Sequence, residues 1–483
     1  MMRKKFATNL IFLFAVNLIV KPFWIFGIDR VVQNKIGTVD YGLYFALFNY
    51  SFLFNIILDF GINNFNNRAV SRNSKRLGEY FLNLVVIKFF LALLYFTLTF
   101  LSAYWSGYNE LQLKMLLALV VNQILLSAIL YFRSNIAALQ LFKTDSVLSV
   151  LDRLLTIVIC LALLYHPTFK DSFTIMHFIY AQTAALFITA LVAAFIVGNR
   201  VVVRVKIWQL KLTRKILLKS APFALLALLM GIYYRIDGVM IERMLPDGKN
   251  EAGIYAASFR LLDAANQFGF LFATLLLPLF ASMIRKKENI NELVKFSSEL
   301  MLVLSIIAAG NCYFFRNEIM SLLYQHSTAY WAEIFGWLMI TFIPMSSVYI
   351  FGTLLTAHGS LKILNSIAVG GMFLNVCLNL FLIPAYGALG ATYATLITQL
   401  IAALIHFIAA HRQFNLTYDR TDALKIFGFI IGSVAVIFTA LKIPVEWITE
   451  FMISIAGCLL IAVAFKLIPI SKLTALIRSK AGS

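Results

Sequence analysis

The chain has 483 residues, of which 61% are hydrophobic and 13% charged, and its formal net charge is +19. Soluble domains carry about twice that share of charged residues. With a mean hydropathy of +0.86, the composition excludes a soluble globular protein and defines an all-α polytopic membrane protein.

A helix needs about 20 mostly apolar residues to cross a bilayer. The N-terminus, MMRKKFATNLIFLFAVNLIV, has no small-residue cleavage site, so it reads as an uncleaved first helix with a basic start. That first run, 9–33, is interrupted by Lys21, Pro22, Asp29 and Arg30. Further runs follow at 41–62, 79–104, 112–134, 145–165, 173–198 and 217–241. The series continues at 252–283, 292–315, 331–356, 361–383, 388–410, 423–441 and 448–469, about 14 in all. Pro22, Pro278 and Pro344 fall inside runs and mark expected bends. The four cysteines (Cys160, Cys312, Cys377, Cys458) and the histidines His177, His358 and His406 show no metal-ligand spacing.

The loops set the orientation. Arg3, Lys4 and Lys5 precede the first run, and Arg68, Arg72, Lys75 and Arg76 follow the second. Arg200, Arg204, Lys206, Lys211, Arg214, Lys215 and Lys219 follow the sixth, and Arg285, Lys286, Lys287 and Lys295 the eighth. The opposite loops, YWSGYNELQ, LYHPTFKDS and IPAYGALGA, are poor in basic residues. The positive-inside rule places both termini in the cytoplasm. Most of the net charge is therefore topology, and nucleic acid is not an expected partner. No loop exceeds about 25 residues, which leaves no room for a soluble catalytic domain.

DYGLYFALFNY (40–50) opens the second run and EAGIYAASFRL (251–261) the eighth, with Gly42, Tyr44 and Ala46 aligned to Gly253, Tyr255 and Ala257. Basic segments follow both runs, NNRAVSRNSKR and IRKKEN. An even number of helices separates the copies, so they are expected to be parallel repeats related by an axis along the membrane normal. The expected organisation is an N-terminal lobe over 1–198, a basic cytoplasmic linker over 199–219, a C-terminal lobe over 220–410 and an added helix pair with tail over 411–483.

Three stretches carry a family resemblance. RIDGVMIERML with EAGIYAASFRLLDAANQF resembles the seventh and eighth helices of oligosaccharide-lipid flippases, in the multidrug/oligosaccharidyl-lipid/polysaccharide exporter superfamily. IGTVDYGLYFALFNY and DFGINNFNNRAVSR resemble the first helix pair of that family, and LNVCLNLFLIPAYGALGATYATLITQLI its Asn-rich helix, Pro-x-x-Gly turn and small-residue helix. The resemblance implies two six-helix lobes around a central cavity and alternating access. It also implies translocation of undecaprenyl-pyrophosphate-linked oligosaccharide repeat units across the bacterial inner membrane, driven by ion exchange or the membrane potential, for O-antigen, capsule or exopolysaccharide synthesis. The implied partners are the lipid-linked oligosaccharide, the bilayer and a polysaccharide polymerase with its chain-length machinery, the flippase itself being a monomer. The fourteen-helix count departs from the twelve-helix pattern and is also that of peptidoglycan-precursor flippases.

A charge at mid-bilayer costs about 2.5–3.5 kcal/mol on insertion scales, so such residues face a cavity or a partner. Lys21, Arg30, Asp59, Lys88, Asp152, Arg153, Arg235, Asp237, Arg260, Asp263 and Glu299 are of this kind. Arg260 and Asp263, three apart, share a helix face and can pair, whereas Arg235 and Asp237, two apart, point to different sides. Arginine's planar fork suits phosphate oxygens. One reading has Arg30, Arg235 and Arg260, with Lys88, line the cavity and hold the pyrophosphate; the other has them in interhelical ion pairs or snorkelling to the interface. Asp59 is expected in a local ion pair. Asp237 and Asp263 are candidates to bind a coupling Na+ or H+, or to pair structurally, and no other cofactor is implied. Asn375 and Asn379, four apart on one face, either join helices or contact sugar.

Two other classes compete. A peptidoglycan lipid-precursor flippase or a multidrug/cation antiporter would share the architecture, and a drug exporter should present acids rather than arginines. A membrane-embedded polysaccharide polymerase or ligase would need a large outer loop or an intramembrane catalytic cluster. The short loops and the lack of a nucleophile, acid–base pair or metal set argue against an enzyme.

Overall fold

The computed structural model describes residues 19–20, 22–63, 66, 76–200 and 210–467, without the side chains of 76, 79, 170 and 210–223. Lys21 and the basic residues Arg3, Lys4, Lys5, Arg68, Arg72, Lys75, Arg204 and Lys206 lie outside the described residues. Every regular element among the described residues is helical.

Just beyond Pro22, which has no amide hydrogen to donate, the chain takes π-helical turns over Trp24–Asp29 and continues into α1 (Arg30–Ile36). Gly37 leads into α2 (Thr38–Leu53). The second run, expected as one span over 41–62, is instead broken. α2 ends at Phe54, a short helical turn covers Ile56–Asp59, and Phe60 adopts a left-handed conformation with φ 44°. Side chains hold the break: Asn55 donates its amide to Gln123 Oε1 at 2.6 Å, and the Leu58 carbonyl accepts from Lys88 Nζ at 3.0 Å.

The helices that follow are α3 (Arg76–Trp105), α4 (Glu110–Ala138), α5 (Phe142–Tyr165), α6 (Ile175–Gly198), α7 (Leu210–Met244), α8 (Gly248–Lys286) and α9 (Asn291–Phe314). They continue with α10 (Ala329–His358), α11 (Leu361–Tyr386), α12 (Ala388–Phe414), α13 (Arg420–Ala440) and α14 (Trp447–Ala464). Among the described residues, twelve helices are long and apolar enough to cross a membrane, and they coincide with the last twelve runs read from hydropathy. α8, α10 and α11 run through Pro278, Pro344 and Pro384. Only Gly387, with φ 65°, separates α11 from α12, a conformation that L side chains rarely adopt. His177 caps α6 by accepting the Thr174 amide on Nδ1 at 3.1 Å, which accounts for this histidine without a metal.

The chain forms two compact units, Met1–Ala256 and Ala257–Ser483. In the first, α2 packs on α7 and α4, and α6 packs on α4 and α5. In the second, α10 is central: it packs on α9 and α12, and α12 on α11. The most apolar window of α10 is 61% buried, against 17% for α14, which pairs with α13 on the flank of α9. Phe429, Ile437, Cys458 and Ala462 join that pair to Val303, Ile306 and Ile307 of α9 in one apolar cluster. Phe89, Phe90, Leu93, Phe195, Phe373, Phe381 and Leu460 point outward, exposing more apolar surface than a soluble protein tolerates. Acyl chains cover this surface in a membrane.

Candidate functional site

α2 is buried almost all round, from Tyr41 to Ser51, although it carries tyrosines and Asn49. Polar side chains in such a helix must find partners inside the protein, and they do. Tyr41 Oη donates to Asp29 Oδ2 at 2.6 Å, and Gln182 Nε2 of α6 donates to Tyr44 Oη at 3.1 Å. Trp24 stacks on Phe178 at 5.8 Å, Tyr44 meets the same ring edge-on at 5.3 Å, and the Arg153 guanidinium lies 5.4 Å from Trp24. Asp29, only 3% exposed, is thus set among aromatic rings with a tyrosine as its donor.

The other side of α2 repeats the theme. Asp237 of α7, also 3% exposed, accepts from Tyr255 Oη at 2.9 Å. The next residue, Gly238, lets α7 lie close: a methyl there would stand 2.6 Å from Asn49 Nδ2 and 2.7 Å from the Phe45 ring. This approach brings the Arg235 guanidinium to 5.3 Å from Phe52 and 6.0 Å from Phe48, within cation–π range.

Arg30, Arg235 and Asp237 therefore stand on helices packed against α2. Arg30 is half-buried, and its Nε has no hydrogen-bond acceptor among the described residues. Lys88 is engaged locally: Nζ donates to Leu58 O and Ser127 Oγ, each at 3.0 Å, and to Asp59 Oδ1 at 3.4 Å. In the second unit, Arg260 and Asp263 lie half-buried one turn apart on α8. Asn375 and Asn379 of α11 are fully buried, and Asn379 Nδ2 donates to Asn375 Oδ1 at 3.1 Å. Among the described residues, no group of His, Cys, Asp or Glu could hold a metal ion.

Sequence reasoning passed over Asp29, Gln33, Tyr41 and Tyr255 as members of this cluster. Asp29 was legible in principle, because GIDR (27–30) and RIDG (235–238) place the same Ile-Asp dipeptide ahead of the two repeat copies. Gln33 was not. Its amide donates 2.8 Å to the carbonyl of Gly253, a partner 220 positions away.

The model of the family described as "Polysaccharide biosynthesis protein" matches residues 6–284, more than half of the chain. The chain is similar to the Lipid III flippase of Escherichia coli (strain K12), with 27% identity over 186 residues, 38% of this chain and 44% of that protein. It is also similar to the uncharacterized membrane protein YabM of Bacillus subtilis (strain 168), 27% identical over 195 residues, 38% of this chain and 36% of that one. The matched region thus spans less than half the length of these relatives. Among solved structures, the Lipid II flippase MurJ in an inward closed conformation superposes with a TM-score of 0.67 at 16% identity, over 96% of this chain and 100% of that one. An inward-facing multidrug resistance MATE family transporter of the MOP superfamily gives 0.67 at 13% identity, over 84% and 98%. At these identities the likeness is one of fold. A helical membrane protein with acid–tyrosine pairs and arginines packed around its second helix, matched by that family model over residues 6–284, belongs to the polysaccharide biosynthesis protein family, and its fold is that of the MurJ and MATE structures on which it superposes.

Proposed function

We propose that the protein is a flippase that carries undecaprenyl-pyrophosphate-linked oligosaccharide repeat units across the bacterial inner membrane for surface polysaccharide synthesis (O-antigen, capsule or exopolysaccharide). The family match over residues 6–284 carries the reading, and the similarity to a protein named Lipid III flippase supports it. Arg235, held against Phe48 and Phe52, offers a planar guanidinium that suits a pyrophosphate oxygen pair. Arg30 and Arg260 are its proposed companions, with Asn375 and Asn379 completing the headgroup contacts, whereas Lys88, whose three donors already meet Leu58, Ser127 and Asp59, is assigned to structure. Asp237 and Asp263 are proposed to take the coupling cation or proton in an alternating-access cycle. The loop charges favour cytoplasmic termini, the protein acting as a monomer that delivers to a polymerase and its chain-length machinery.

A peptidoglycan-precursor flippase is the second reading, favoured by the superposition on the Lipid II flippase MurJ over 96% of this chain. Proteoliposomes loaded with labelled undecaprenyl-pyrophosphate oligosaccharide test both. Transport by the wild type that collapses in Arg235→Ala or Arg260→Ala, with folding intact, supports a guanidinium grip. Transport of a peptidoglycan lipid precursor alone moves the protein to the second reading. Efflux of organic cations without lipid transport overturns both.

A further inference from the structure

A separate polar cluster stands where the end of α7 meets the turn between α3 and α4. Glu242 is 8% exposed, and its Oε1 accepts from Gln112 Nε2 at 3.2 Å. Gln112 cannot turn its amide over. Its own Oε1 accepts the Asn109 backbone amide at 2.9 Å as half of the capping box of α4, so its nitrogen must face Glu242. A donor fixed on Oε1 leaves Oε2 as the oxygen that can take a proton. Oε2 is buried without a hydrogen-bond partner among the described residues and lies 3.7 Å from Arg243 Nε.

Arg243 ties the two segments together. Its guanidinium lies 3.9 Å from the centre of the Tyr108 ring, and Nη2 donates to the Ser106 carbonyl. Tyr108 is in turn buttressed by Tyr50, edge-on at 5.2 Å, whose hydroxyl is given to Ser102 Oγ at 2.9 Å. Burial, reinforced by the field of Glu242, pushes the Tyr108 phenol above its ordinary range, so it stays protonated at neutral pH. The other charges nearby are Lys249, whose field reaches Glu242, and the exposed Glu110–Lys114 pair, which is satisfied within itself at 2.7 Å.

We propose that Glu242 and Arg243 form a proton-releasable latch between the end of α7 and the α3–α4 turn. With Glu242 ionised, the carboxylate, the Tyr108 ring and the Ser106 carbonyl all hold the guanidinium in place. A proton on Oε2 cancels the charge and points an O–H toward a group that can only donate. Arg243 then leaves its seat, and the turn is freed from α7.

The test is conformational and needs no transport. Ser106 contributes only its carbonyl to the latch, so Ser106→Cys can carry an environment-sensitive fluorophore. The four native cysteines are free and are replaced by alanine. The labelled protein, in lipid nanodiscs, is titrated from about pH 8 to about pH 4, a range that reaches the ordinary value of a glutamate. The parent should show one transition. Glu242→Gln keeps the acceptor for Gln112 and should lose the transition, with its signal held at the acid value. Glu242→Asp should still titrate, and Arg243→Gln should read the acid value throughout. A parent without a transition, or a Glu242→Gln protein that titrates like the parent, overturns the proposal.

Discussion

Gly42 of α2 and Gly253 of α8, aligned in the sequence repeat, meet backbone to backbone. A methyl on Gly42 would fall 1.9 Å from the Lys249 carbonyl oxygen, and one on Gly253 would fall 2.1 Å from that of Thr38. The two copies of the repeat thus touch through their equivalent glycines. Gly42→Ala or Gly253→Ala must push these backbones apart, at a cost of about 1–3 kcal/mol. Gly370→Ala, which meets nothing within 4 Å, should be neutral or stabilising by about 1 kcal/mol through helix propensity. Thermal unfolding of the purified variants checks both; equal melting temperatures for all three would refute the close contact.

Arg235 should be irreplaceable by lysine if its planar group matters. Arg235→Lys keeps the charge but loses the fork and the flat contact with Phe48 and Phe52. Transport of the lipid-linked oligosaccharide should fall roughly tenfold, equivalent to about 1.4 kcal/mol, with an unchanged melting temperature. Full activity in the lysine variant would reduce Arg235 to a point charge.

Lys88 contributes to stability through three acceptors at once: Leu58 O, Ser127 Oγ and Asp59 Oδ1. Lys88→Met takes the cation from Asp59, which keeps only the Asn63 amide, and leaves the Leu58 carbonyl with the Ser127 hydroxyl, so it should cost about 1–3 kcal/mol. Adding Asp59→Leu removes the stranded charge and should recover part of the loss. Melting temperatures of the two singles and the double measure the coupling; strict additivity would show that the pair does not interact.

Tyr418, in the segment between α12 and α13, gives a prediction about alkaline pH. Burial raises its phenol above the ordinary value, only partly offset by the Ser298 hydroxyl 3.1 Å away. A group whose folded value is raised stabilises fully below its unfolded value of about 10 and loses that contribution as the pH rises through the folded one. Stability should therefore decline above about pH 10, and Tyr418→Phe should flatten that limb. Parallel unfolding curves for the two proteins would count against a buried phenol.

Hydropathy placed the last twelve spans because a bilayer demands length and greasiness from each helix separately, and both are local properties of the chain. The break in the second run escaped it. Asn55 and Gln123 are 68 positions apart, and no window along the sequence contains both. The repeat was visible as Gly42, Tyr44 and Ala46 against Gly253, Tyr255 and Ala257. Its consequence, two glycines in contact, was not.

The candidate charges divide in the same way. Arg30, Arg235 and Asp237 were conspicuous because a charge in an apolar run is costly wherever it points. Which of them have rings, tyrosines or carbonyls beside them depended on packing. Asp29 looked like an interruption of the first run until Tyr41 was found to donate to it. The sequence by itself determined that this is a many-spanning membrane protein with a short internal repeat and charged residues inside its apolar runs, since composition, periodicity and repetition are properties of a string. Only the tertiary structure decided which charges are satisfied, that Lys88 is held by Asp59 and Ser127, and that Arg235 lies against Phe48 and Phe52. Those facts depend on distances between residues far apart in the chain, and packing alone sets such distances.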